Sequence, residues 1–136
     1  MRVTLGSESD HLRLGYEPEP PGVPPVLTAT LRLGTMQAAH RVEPHYVSGF
    51  ADLADFMDTL AEDWRGWSLV RRWESLGGTV QLAARHDGQV RIAVLLRAEY
   101  PDDWRAGGTI VLEAGEQLSR AARDVRELAE AFASGS

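Results

Sequence analysis

Residues 50–67 read FADLADFMDTLAEDWRGW, and the reading of this stretch decides the fold. Leu53, Phe56, Met57, Leu60, Ala61 and Trp64 recur at helical spacing and share one face. Asp52, Asp55, Asp58, Glu62 and Asp63 fall outside it. The spacing predicts an amphipathic helix that runs into a two-tryptophan corner, Trp64-Arg65-Gly66-Trp67. A helix with a single apolar face must cover a sheet.

Strands are legible on both sides. Upstream, Leu27, Ala29, Leu31 and Leu33 alternate, then Gly34-Thr35, then Met36, Ala38, His40 and Val42. A two-residue turn pairs Leu33 with Met36, Leu31 with Ala38 and Ala29 with His40. Both apolar sets then share one face, and glycine first in such a loop is the type II′ signature. Val3 and Leu5, and Leu12, Leu14 and Tyr16, predict two earlier strands. Between these regions, residues 17–25 carry five prolines and read as a stiff loop.

Downstream, Val80, Leu82 and Ala84 alternate, as do Val90, Ile92, Val94 and Leu96. A three-residue loop, His86-Asp87-Gly88, keeps both sets on one face. It pairs Leu82 with Ile92 and Val80 with Val94. Strands are expected at about Leu69–Ser75 and Thr109–Glu113, with residues 100–108 as a loop. A last helix runs from Glu116 to about Ala133, with Leu118, Ala121, Ala122, Val125, Leu128, Ala129 and Phe132 on one face.

The expected fold is therefore α+β, a large and mostly antiparallel sheet with two amphipathic helices on one face. The order is strands, helix, strands, helix, which suggests a loose repeat of two halves. At 136 residues the chain fits one domain, 1–136, with residues 134–136 as a frayed tail.

Composition excludes several functions. There is no cysteine, so disulfides, thiolate metal sites and cysteine nucleophiles are ruled out. All fourteen basic residues are arginine, which rules out Schiff-base chemistry and a P-loop lysine. The net charge of −6 opposes sequence-independent nucleic-acid binding and docking on anionic membranes. No apolar run spans a bilayer and no signal core opens the chain, so a cytoplasmic protein is expected.

Three groups of residues are candidates for function. Asp55, Asp58, Glu62 and Asp63 form an acidic helix face, either simply solvated or a dock for a basic protein. Among four tryptophans, Trp64 continues the apolar stripe into the core, whereas Trp104 beside Arg105 is the best exposed anchor. His40 falls on the apolar face of its hairpin and, with the Trp67 and Trp73 corner, marks a pocket if there is one. The four histidines lack the spacing of helical metal ligands, and no nucleotide, hydrolase or metalloprotease motif is present. No catalytic residue, metal or cofactor is assigned.

Asp52-Leu53-Ala54-Asp55-Phe56, Asp63-Trp64-Arg65-Gly66-Trp67, Trp73-Glu74-Ser75-Leu76, His86-Asp87-Gly88 and Glu113-Ala114-Gly115-Glu116-Gln117-Leu118 together resemble a family of small actinobacterial proteins catalogued as a domain of unknown function. The resemblance covers about Val42 to Phe132. It implies a self-standing domain and no particular activity, cofactor or catalytic residue. The sequence thus favours a small interaction protein, immunity-like or regulatory, over a small-molecule binder or enzyme. A homodimer through a sheet edge is a third reading.

Overall fold

The computed structural model describes residues 1–17 and 19–134. Its elements are β1 (Arg2–Gly6), β2 (Asp10–Gly15), β3 (Leu27–Leu33), β4 (Met36–Val42), α1 (Ala51–Glu62), β5 (Arg71–Glu74), a 3-10 turn (Leu76–Gly78), β6 (Val80–His86), β7 (Val90–Ala98), β8 (Trp104–Leu112) and α2 (Glu116–Ala133). Strands, helix, strands, helix is the α+β order that the periodicities predict. Every ladder is antiparallel. The strands divide into two four-stranded sheets, β1-β2-β3-β4 and β5-β6-β7-β8, where one large sheet was expected. Alternation dictates which face of a strand is buried but not which strand lies beside it. Each half of the chain is thus a four-stranded meander followed by a helix.

One core joins these parts. Leu5, Leu12 and Leu31 of the first sheet, Ile92, Leu96 and Ile110 of the second, Met57 and Leu60 of α1 and Leu118 of α2 are all fully buried in the same cluster. Removing each such side chain from water contributes about 2 kcal/mol. The helices pack on each other, α2 also seats on β1, and β8 lies against β1 and β2. β8 carries Gly107-Gly108, which reads as loop in the sequence. A side chain at Gly108 would collide with Leu33, and one at Gly107 would press on the Val94 carbonyl. The two glycines mark a close approach of backbones inside a strand, not a turn. β8 therefore begins at Trp104, five residues before the expected Thr109.

The β3–β4 hairpin has the predicted register, Leu33 with Met36, Leu31 with Ala38 and Ala29 with His40. Gly34 takes φ 60°, and Thr35 is not among the positive-φ residues, as a type II′ turn requires. The β6–β7 hairpin departs from prediction. Its loop has three residues, but they are Asp87-Gly88-Gln89; His86 pairs with Val90, Leu82 with Val94 and Val80 with Leu96. The shift is two residues along the ladder, so the same side chains stay inside and hydrophobic pattern cannot detect it. Local bonds select this register. Asp87 accepts from Arg91 Nε at 2.7 Å and from the Gln89 N–H at 3.3 Å. Gly88 sits at φ 103°.

α1 ends at Glu62, before the tryptophan corner. Trp64 lies beyond the helix, where helical spacing no longer places it on the apolar face, and it is 45% exposed. This corrects its expected place in the core. β5 is also shorter than expected, Arg71–Glu74. Of the tail expected to fray, Ser134 bonds the Glu130 carbonyl at 3.1 Å, and Gly135 and Ser136 lie outside the described residues.

Candidate functional site

The acidic helix face is largely neutralised from within. Arg126 of α2 donates to Asp55 Oδ1 and to Asp58 Oδ2, each at 2.6 Å. The Asp58 hydrogen bond, then that of Asp55, raises the Arg126 pKa further above its ordinary value. Asp63 accepts from Arg71 at 2.6 Å, and Arg71 also donates to the Thr59 carbonyl at the end of α1. Glu62 has no ion pair among the described residues. The charges that the sequence presents as a stripe are therefore mostly the seam between α1, α2 and β5.

Trp73 and His45 converge on Asp52 at the start of α1. Asp52 Oδ2 accepts from Trp73 Nε1 at 2.7 Å, and His45 Nε2 lies 3.1 Å from the same oxygen. Asp52 Oδ1 is buried without a partner. His45 closes a small turn through an isolated bridge with Gly49, and Tyr46 and Val47 protrude from its tip. The trio anchors that turn and ties β5 to α1.

Trp67 and Trp73 line different clefts, and His40 lines neither of these two. His40 donates from Nδ1 to the Arg41 carbonyl at 2.7 Å and stands edge-on to Trp104, with ring centroids 5.9 Å apart. Trp104 is thus a half-buried inner-face residue of β8 and packs on the core, which corrects its expected exposure. Trp73 borders one cleft, and Trp67 borders another.

The feature that sequence reasoning missed is the outer face of the second sheet. The strand positions that face away from the core are Arg72 and Glu74 on β5, Gln81, Ala83 and Arg85 on β6, Arg91, Ala93, Leu95 and Arg97 on β7, and Arg105, Gly107, Thr109 and Val111 on β8. Arg85 faces Arg91 across one ladder and Arg97 faces Arg105 across the next. Between these arginine pairs lie Ala83 opposite Ala93 and Leu95 opposite Gly107. The face forms a shallow saddle, and its cleft of about 550 Å³ is bordered by Arg72, Glu74, Gln81, Ala83, Ala93 and Leu95, with none of the four facing arginines in its wall. Like charges directly opposite on a sheet are destabilising. Arg91 is held by Asp87, and Arg97 reaches the Gly77 and Gly78 carbonyls, but Arg72, Arg85 and Arg105 have no ion pair among the described residues. The signal was present in the sequence as Arg85, Arg91, Arg97 and Arg105 at odd positions of alternating strands. It emerges only when the register places them face to face.

A model of a family of unknown function, DUF6228, matches residues 5–131. The chain belongs to that family. The match takes in the N-terminal strands, well before the Val42 at which the sequence resemblance began. Comparison with curated proteins and with solved structures finds no match. The family therefore carries no named activity to this site, and its chemistry has to be read from the residues. Among the described residues, no group of three or more His, Asp or Glu could hold a metal ion. No helix there is long and apolar enough to cross a membrane.

Proposed function

We propose that this protein is a cytoplasmic protein-docking domain and that the outer face of the second sheet is its docking surface. The observation that carries this reading is the pair of facing arginines at each end of the uncovered Ala83–Ala93–Leu95–Gly107 saddle. Five arginines and one glutamate on the strand positions of that face oppose a net charge of −6 for the chain. An acidic protein surface relieves the facing arginines, and the small residues between them admit close approach. The acidic helix supports a basic partner less well, because Arg126 and Arg71 already occupy its carboxylates. Nucleic acid is disfavoured because the outward strand positions carry no aromatic ring on which bases stack.

The test is binding of fluorescently labelled polyglutamate, with polylysine and an oligothymidylate as competitors in class. Wild type is expected to bind polyglutamate. Arg72→Glu with Arg105→Glu abolishes binding, whereas Arg13→Glu with Arg32→Glu on the first sheet leaves most of it. Equal loss in both variants, or preference for polylysine or the oligonucleotide, overturns the reading.

A further inference from the structure

Leu69 is 86% exposed and holds φ at 66°. A leucine in the left-handed region is strained, and strain of this kind persists where surrounding structure imposes it. Burial within this chain does not offset it. Leu69 lines a cleft of about 570 Å³ with Trp67, Val70, Arg85, His86 and Arg91. The cleft adjoins the docking face, since Arg85 and Arg91 belong to both.

Its walls are held in place. Trp67 Nε1 donates to the Ala84 carbonyl at 3.3 Å. The Arg71 guanidinium lies 4.9 Å from the Trp67 ring centroid, and His86 stands edge-on to it at 5.1 Å. His86 Nε2 is 2.7 Å from the Trp64 carbonyl, which only accepts, so Nε2 carries the proton. Nδ1 accepts from the Gly88 N–H at 3.2 Å. Both ring nitrogens are thus used in hydrogen bonds. The remaining charges are Arg91, paired with Asp87, and Arg85, which has no ion pair among the described residues. The cleft combines the apolar Trp67, Leu69 and Val70 with Arg85, while the Asp87 carboxylate that also lines it is engaged by Arg91.

We infer that this cleft is the anchor pocket of the docking face, and that it takes an apolar side chain adjacent to a carboxylate on an acidic protein segment. The inference rests on the docking reading above. Trp67, Leu69 and Val70 receive the apolar group and Arg85 receives the carboxylate. Rigid walls reduce what must be ordered on binding. Strain retained at an exposed leucine has the form expected of an anchor that pays off only in the complex.

The experiment is an NMR titration with the peptide acetyl-Gly-Leu-Glu-Glu-Gly-amide and versions with both glutamates replaced by glutamine or by lysine. The acidic peptide is expected to shift the Leu69 methyls and the Trp67 indole N–H. The glutamine version binds about tenfold more weakly, the equivalent of one lost charge-assisted hydrogen bond. Arg85→Gln produces a similar loss. Leu69→Gly weakens binding about tenfold and raises Tm, since glycine accepts positive φ without strain. A purely structural leucine would not give this opposite pair of effects. Equal binding of the lysine peptide, wild-type affinity in Leu69→Gly, or a lower Tm in that variant overturns the anchor. If polyglutamate binding responds to Arg72 and Arg105 while the cleft variants bind as wild type, docking stands and the anchor alone falls.

Discussion

The two sheets have the same strand order and bury the same kind of face, yet their outer faces differ. On the first sheet, Arg2, Arg13, Arg32 and Arg41 are spread among partners none of which is another arginine. Arg2 faces Gly15, Arg13 faces Thr4 and Thr30, Arg32 faces His11 and Gln37, and Arg41 faces Thr28. Glu17 and Glu43 pair with two of these arginines. On the second sheet, arginine twice faces arginine around a floor of small side chains. Arginine content alone therefore does not distinguish a solvated sheet from a docking surface. Cross-strand placement does, because it decides whether the charges are dispersed or concentrated.

The largest expected effect tests what the sheets share. Leu31→Ala in the first and Ile92→Ala in the second should each cost about 3 kcal/mol. Each should lower one cooperative thermal transition, because both residues feed a single core. Two separate transitions by calorimetry would show instead that the sheets are independent units. Next comes the tie between the halves. Trp73→Phe removes the indole donor from Asp52 and should cost about 1–2 kcal/mol in denaturant titration. A neutral result would mean that Asp52 finds another partner.

The outer-face contrast predicts smaller and opposite effects. Arg105→Thr relieves one facing arginine and should stabilise by about 0.5 kcal/mol. Arg13→Thr, which relieves no such opposition, should not. Equal shifts for both would erase the distinction between the faces. The smallest effect lies at the β6–β7 turn. The hydrogen bond from Arg91, then that from the Gln89 N–H, holds the Asp87 carboxyl below its ordinary value. A depressed carboxylate pKa stabilises the fold above the unfolded value and is lost as pH falls through the folded one. Wild type should therefore lose slightly more stability than Asp87→Asn on acidification below about pH 4. Identical pH profiles would remove Asp87 from the account of this register.

Much of the fold was legible because independent signals agreed. At Gly34-Thr35 the turn chemistry and the apolar alternation specify one register. For α2, a continuous stripe from Leu118 to Ala129 specifies both the helix and its buried face. The misreadings each have a physical cause. Trp64 was placed inside because the 3.6-residue period was extended past the point where the helix stops. Trp104 was placed outside because Gly107-Gly108 reads as loop until Leu33 and Val94 supply the reason for two glycines in a strand. The acidic stripe looked available because Arg126, more than sixty positions away, gives no local sign that it closes over Asp55 and Asp58. The arginine face needed a two-dimensional register that a one-dimensional pattern does not contain.

Two meanders, each followed by its own helix, also bear on how the chain reaches this state. Every ladder joins strands that are neighbours in sequence. Ladder formation thus requires closure of only local loops, and topologies rich in local contacts nucleate quickly. Neither sheet needs a strand from the other half to complete its ladders. The halves meet where α2 seats on β1, with Gln117 Nε2 donating to the Gly6 carbonyl across 111 positions of chain. A chain cut in the exposed segment between α1 and β5 would leave two pieces with all their ladders intact, and they should recover the native core by association.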